Sequence, residues 1–502
     1  MIKKKNFVIK IRMIAIAVAT LSFASAIADN VLTSTSDQTV SGQTYSSTTT
    51  DQSAVKVTAG TLTITKCKIT NSANASSTDN ASFYGTNAVM LCYGAKTTPV
   101  ISSSNNYVSG TGRGANGIFA YGTGVITTSN DTIVQTGGNA RAIMASGGGT
   151  ITVNNDVAST TDASSSMIAT DRGGGTITVN GGSYTANGQN SAGIYSTGAI
   201  TANDATFLSN GGEIYVIEGS NSITANNCSG TSKYNKWGIL MYQSFSGDAT
   251  GSTGTMTITG GSLNYSGTKG GLFYNTNATA KIYLNGVTIT NACDTLVRSL
   301  KGGWGNNATA SYGGTTYITA SGQTMEGMMY ADANSKQYIT LSNSTAYTNA
   351  KINPGNVASL VTLTIDDSST LSLASDCYIN GAITFATAPS TSTTIPNISG
   401  NGHCIYYTSS TNSALGGGTF KLTNGGYLCP AGSGVTSVLT GDQAAKVEIF
   451  NISGQKVYSD ANGTTSTTEN QEILNNLDVA NGLYIVRAIA GNSIVTTKMI
   501  KK

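Results

Sequence analysis

Short groups of alternating apolar and small polar residues recur along the chain at a nearly constant interval. One apolar position follows a glycine-rich or small-residue turn at Ile101, Ile126, Ile151, Ile177, Ile200 and Ile223, in steps of 25, 25, 26, 23 and 23. A second series, Ile118, Ile143, Ile168, Ile194, Ile214 and Ile239, steps by 25, 25, 26, 20 and 25, and a weaker third runs Val108, Ile133, Val157, Tyr184, Phe207. Inside each group the alternation has the period of a half-buried strand. Three strands per repeat of about 25 residues predict a coil that cannot bury its inward side chains alone and must stack on its neighbours. The expected fold is therefore all-β, a parallel β-helix in which the stretch from 30 to 430 holds about sixteen coils, each rising about 4.8 Å. The beat becomes hard to follow after Leu300.

The repeat also settles what the glycine triplets are. "GGGTITVNND" starting at Gly147 and "GGGTITVNGG" starting at Gly173 lead directly into strands. A phosphate-binding loop would need a Lys-Ser/Thr pair and a following helix, and neither is present. An asparagine series, Asn105, Asn130, Asn155, Asn180, Asn203 and Asn226, keeps the same step and predicts one column of stacked turns. Asparagine tolerates the left-handed conformation such turns need, and its amide can bond across coils.

Composition supports an exported β protein. Charged residues are 10% of the chain, yet 39% are apolar and they recur in short groups, which argues against disorder. Lys3, Lys4, Lys5, Lys10 and Arg12 precede an apolar run from Met13 to Phe23 and the small-residue stretch "ASAIA", the pattern of a secretory leader over 1–28. No later stretch is long enough to span a membrane. Without the five leader cations, 22 Lys and Arg stand against 24 Asp and Glu, so the exported chain is near −2 and carries no nucleic-acid footprint. The seven cysteines, Cys67, Cys92, Cys228, Cys293, Cys377, Cys404 and Cys429, are irregularly spaced and odd in number, which favours buried small hydrophobes over a disulfide framework.

The stretch over 29–430 resembles the right-handed parallel β-helix superfamily, which includes pectate lyases, polygalacturonases and many surface adhesins. That resemblance implies an architecture and no particular activity. From about Ala445 the texture changes to longer alternating runs, read as a small β-sandwich over 445–502 behind a linker over 431–444. "IFNISGQKV", "GLYIVR" and the final "KMIKK" are similar to the C-terminal sorting domain of the type IX secretion system of Bacteroidetes. The matching positions are Gly454 at a hairpin turn, Val457, Gly482, Tyr484 as a buried anchor, and Lys498. The resemblance implies export through the outer membrane and the type IX machinery as a partner.

Candidate chemistry is sparse. The single histidine, His403, lies in "NGHC" rather than in the Gly-His-Gly of polygalacturonases, and no orienting partner can be named for it. Asp131 and Asp156 fall one coil apart, with Asp204 further on, close enough to suggest a calcium site that Asn-Asp turn chemistry also explains. Arg113, Arg141 and Arg172 fall at different offsets in the repeat and are not expected to form a stripe. No catalytic set, metal or cofactor is expected. If the second isoleucine series points inward, the next residue points out. That places Phe119, Tyr121, Met144, Tyr195, Tyr215 and Tyr242 on an outer stripe able to bind a glycan or a protein surface. The alternative is that loops cover the stripe, or that its inward and outward positions are exchanged. Thr-x-Thr pairs such as Thr150/Thr152 and Thr176/Thr178 are outward strand residues, and the Ile126 and Ile200 coils lack the pair. The resulting expectation is a secreted or surface-attached, non-enzymatic, adhesin-like protein. A polysaccharide lyase or glycoside hydrolase is the alternative, and three clustered carboxylates beside an arginine or lysine would favour it.

Overall fold

A computed structural model describes residues 29–302, 312–432, 444–464, 466–490 and 493–501. The expected leader, and all but the ends of the expected linker, lie outside the described residues. Between Leu32 and Pro430 the described residues wind as a β-solenoid whose parallel strands form three sheets of 19, 14 and 10 strands, here the long, threonine and short sheets. One apolar core runs through it from Tyr45 to Leu428. The first isoleucine series is a single register column of the threonine sheet, from Ile101 to Ile223. It continues through Met256, Ile282, Ile318, Ile339 and Leu363 to Ile383, well past the point where the beat is lost in the sequence. The beat fades because the short sheet ends at Thr288–Asn291. Beyond it the coil uses longer strands such as Thr324–Ala331, which carries a register shift around Gly327 (φ 106).

Two positions slip by one residue. Tyr215, not Ile214, pairs with Ile194, so Tyr215 faces the core and Val216 takes the outward place. Ala158, not Val157, pairs with Ile133, leaving Val157 54% exposed. A strand's side-chain period is two, so a slip of one exchanges inside for outside.

The expected asparagine column is two columns. Asn105, Asn130 and Asn155 are corner residues in the left-handed region (φ 54, 55 and 55), and Gly181, Asp204, Asn227 and Gly260 continue that corner at φ 69, 54, 52 and 61. Each donates its backbone N–H to the carbonyl of the strand end one coil on, as Asn130 does to Asn154 at 2.9 Å. Asn180, Asn203 and Asn226 instead stand at strand ends in register with Asn154. Their amides form a ladder, Asn180 Nδ2 to Asn154 Oδ1 at 3.1 Å, Asn203 to Asn180 at 3.0 Å and Asn226 to Asn203 at 2.9 Å.

The outer face of the threonine sheet carries a second regular column. From Thr39 to Thr384 one residue per strand stands outward, threonine at every strand except for Ser102 and Tyr283. Threonine is stiff at χ1 and suits a pleated surface.

Among the described residues one α-helix interrupts the solenoid, α1 (Thr78–Tyr84). Ser77 Oγ caps it by accepting the Asn80 N–H at 3.2 Å, Asp79 sits in its first turn, and Gly85 ends it at φ 71. A Cβ on Gly85 would fall 2.6 Å from Leu91 and 2.8 Å from Phe119, so glycine lets the helix end lie directly on the long sheet.

The C-terminal unit has its own core. Strands Ala444–Asn451, Lys456–Thr464, Gly482–Ala490 and Ser493–Lys501 form one antiparallel sheet, and the second layer is helix α2 (Thr467–Asn476) rather than the second sheet of a sandwich. Leu474 of α2 packs with Val447, Ile449, Tyr484 and Val486. Gly454 (φ 80) lies in the hairpin turn, where Asn451 N–H bonds the Gln455 carbonyl at 2.9 Å. Tyr484 is buried and its hydroxyl bonds the Ala480 carbonyl at 2.6 Å. Val457 is half-buried against this core, Gly482 opens its strand, and Lys498 is exposed.

The corner column yields a direct test. Asn130→Gly should leave stability nearly unchanged. Asn130→Val places a β-branched residue in the left-handed region and should cost about 1–2 kcal/mol, read from the denaturation midpoint. Equal behaviour of the two variants would contradict the assigned corner geometry.

Candidate functional site

The expected outer stripe is on the outer face of the long sheet but is not an exposed stripe. Phe119 and Met144 are fully buried, clustered with Ala88, Leu91 and Ala169 beneath α1, and Tyr215 belongs to the core. The cover is fixed from several coils: Asn116 Nδ2 donates to the Ala81 carbonyl at 3.0 Å, Arg141 Nη1 to Ser82 Oγ at 2.6 Å, and Ser146 Oγ to the Phe83 carbonyl at 2.7 Å. Burying this apolar column under an inserted helix removes the exposed patch that the strand pattern implied. Tyr121, Tyr195 and Tyr242 remain half-buried.

Beside α1 the sheet opens into a groove of about 490 Å³. Tyr84, 40% exposed, and Tyr93 wall it, with Lys56, Asp51, Asn80 and Thr86 among its polar lining. Tyr93 stacks on Tyr121 of the next coil (centroids 4.8 Å, 13°), and Tyr84 meets Tyr121 edge-on at 5.7 Å. Lys56 Nζ lies 5.4 Å above the Tyr93 ring. Asp51 is committed to the Ser76 N–H at 3.0 Å and to the Ser76 hydroxyl, whereas Thr86 Oγ1 is buried with no protein partner.

Across α1 from this groove lies a charged group that the repeat offsets did not predict. Arg172 stacks on Phe83 at 3.9 Å and pairs with Asp248 at 2.8 Å. Burial raises the carboxyl of the neighbouring Asp171 to about 6; the Arg141 guanidinium opposes that shift, and Asp248 and Glu218 reinforce it. Glu218 is buried and saturated by the hydroxyls of Tyr195, Tyr242 (3.0 Å) and Ser244. So Arg141 and Arg172, dispersed in the repeat, converge here with Asp171, Glu218 and Asp248. Their meeting depends on the Asp248 loop and on α1, which belong to other coils and leave no periodic signal. Three carboxylates beside arginines are therefore present, but Glu218 and Asp248 are held by side chains of the protein, and Asp171 accepts the Arg172 N–H at 2.8 Å through one oxygen.

Other sequence candidates lie elsewhere. His403 sits 3.7 Å from Asp376, whose carboxylate also accepts the Cys404 N–H at 2.9 Å. Six of the seven cysteines are buried and Cys293 is half-buried. Asp204 is an exposed corner residue, apart from Asp131 and Asp156. These two are buried one residue past the corner, where Asp131 Oδ1 accepts the Asn106 N–H at 2.7 Å and Asp156 Oδ1 accepts the Asp131 N–H at 2.9 Å. They tie coils together rather than open to a cation. Among the described residues, no group of three or more His, Cys, Asp or Glu is arranged to hold a metal ion.

The C-terminal comparison is decisive for location. Residues 427–502 match the secretion system C-terminal sorting domain. The chain is a secreted or cell-surface protein exported by the type IX route, and its sorting tail engages that machinery. The match begins in the last solenoid strand, Tyr427–Pro430, ahead of the change in sequence texture at Ala445. No curated protein and no solved structure matches the chain. Among the described residues no helix is long and apolar enough to cross a membrane.

The buried acid pair predicts a pH dependence. Burial raises the Asp156 carboxyl to about 7, with Asp131 beside it adding to the shift. The unfolded value is near 3.9, so the folded chain holds a proton that the unfolded chain releases between about pH 4 and 7. This contribution to stability is complete below about pH 4 and is lost as pH rises through 7. The denaturation midpoint should fall from pH 5 to pH 8, and Asp156→Asn should flatten that part of the profile. A wild-type profile already flat over this range would contradict the pairing.

Proposed function

We propose that this surface protein is a non-catalytic glycan-binding, adhesin-like solenoid that takes a sugar chain in the groove beside α1. The wall of that groove carries the reading: Tyr84 stands 40% exposed there beside Tyr93. Tyrosine rings offer an apolar face to a pyranose ring and a polar edge to its hydroxyls. Lys56 and Asn80 add polar groups at the same opening, the combination of apolar walls and few convergent polar groups expected of a binding site. Export to the cell surface puts the groove where extracellular glycans are.

A second reading, a polysaccharide lyase or glycoside hydrolase, is favoured by one group. Asp171, raised to about 6 by burial and flanked by Arg141, could exchange a proton near neutral pH. Against it, the other two carboxylates are held by internal partners.

Presenting the exported chain with immobilised neutral and uronate-rich polysaccharides, with and without calcium, separates the two. The binding reading predicts retention on at least one glycan with no new reducing or unsaturated ends. Tyr84→Ala or Tyr93→Ala should each weaken retention about three- to tenfold, the scale of one lost aromatic contact. Product release abolished by Asp171→Asn would establish the enzyme instead.

A further inference from the structure

We propose that the outer face of the threonine sheet is a self-association surface, whose partner is a second copy of this chain packed face to face and antiparallel. The face is uncharged, as is the outer face of the short sheet from Tyr107–Gly110 to Thr288–Asn291, but its strands run five to seven residues against the short sheet's four and so make the broader patch. Over the eight strands from Thr61–Thr65 to Thr253–Thr259 its outward positions are threonine, serine, asparagine, valine and alanine, with no charged side chain. Solvent-facing sheets ordinarily carry charges that keep neighbouring molecules apart. The face is also regular, since none of its successive strand pairings contains a register shift, whereas the long sheet has several.

A partner for such a surface must match its repeat over many strands, because each threonine contributes little by itself. A second copy does so automatically: its rows have the same spacing of about 4.8 Å and can settle between those of the first. The threonine rotamers are restricted before contact, so ordering them costs little on association. Eight strands of five residues make a patch of roughly 38 by 15 Å. Pairing two such patches buries about 1,100 Å² in total, just above the ~1,000 Å² of a specific interface. That area suits a reversible dimer.

Orientation follows from the far end of the face. Tyr283, 42% exposed, interrupts the threonine column there, and Tyr317 and Tyr338 stack at 4.3 Å beside Lys281 and Lys336. Parallel copies in register would set Tyr283 against its own counterpart and lysines against lysines. An antiparallel two-fold places both bulky ends outside the paired patch, and closed two-fold contacts are the commonest symmetry of such pairs.

Sedimentation velocity of the full chain from about 1 to 100 μM tests this, the range in which an interface of this size and polarity would dissociate. The expected result is a monomer at the low end and a dimer at the high end. Thr152→Lys with Thr178→Lys puts like charges at the centre of the patch and should raise the dissociation midpoint at least tenfold. Thr152→Glu with Thr178→Glu, of the opposite sign, should do the same, so the result does not hinge on one variant folding. Ser159→Lys with Thr185→Lys, on the outer face of the short sheet, should leave the dimer unchanged. A monomer throughout, a dimer insensitive to both central pairs, or equal weakening by the control pair would overturn the proposal.

Discussion

The solenoid depends on one repeated corner. At each turn from the threonine sheet to the short sheet the chain must pass through the left-handed region, and the residues found there are mostly asparagine, aspartate or glycine: Asn105, Asn130, Asn155, Gly181, Asp204, Asn227 and Gly260. Those residue types accept that conformation at the least cost. The corner N–H then bonds the next coil, so a local backbone preference is converted into inter-coil attachment. Buried groups one residue further in, Asn106, Asp131 and Asp156, repeat that attachment with side-chain oxygens. Once the corner is set, the alternation of the flanking strands decides which residues enter the core.

That division explains what could be read in the chain. The isoleucine series around Ile101 and Ile118 are inward columns as expected, because period-two alternation and a constant coil length are both properties of the sequence. Tyr215 and Val157 fail for the same physical reason as each other. Each neighbours an apolar or small residue that also fits inside, Ile214 and Ala158, so the strand's phase is ambiguous by one position. The beat after Leu300 persists from Ile318 to Ile383 in the threonine sheet. It is obscured because the short sheet has ended and the coil has changed length.

The candidate site was much less legible. Phe119, Met144, Tyr121, Tyr195 and Tyr242 share one outer face while Tyr215 enters the core, and the cover comes from α1, in "TDNASFY", a seven-residue insertion with no amphipathic period to read. Arg141 reaches Ser82 over 59 positions and Arg172 reaches Asp248 over 76, separations that carry no repeat. The groove residues Lys56, Tyr84, Tyr93 and Thr86 likewise meet only because α1 leans on adjacent coils. The sorting tail was legible because it is carried by short contiguous motifs, although its second layer proved to be α2.

Two different chemistries therefore share one scaffold. The corner N–H groups and the ladder amides are consumed in holding coils together, and the Glu218 and Asp248 carboxylates are consumed in holding loops to the long sheet. Beside α1, by contrast, Tyr84 stands 40% exposed at a groove lined by Lys56, Asn80 and Tyr93, the place proposed for a glycan. Hydrogen–deuterium exchange of the exported chain, with and without a retained glycan, tests that conclusion most directly. Added protection is predicted in residues 78–93, which span α1, Thr86 and Tyr93. Binding that protects only the C-terminal sheet or the outer face of the short sheet, and leaves 78–93 unchanged, would contradict it.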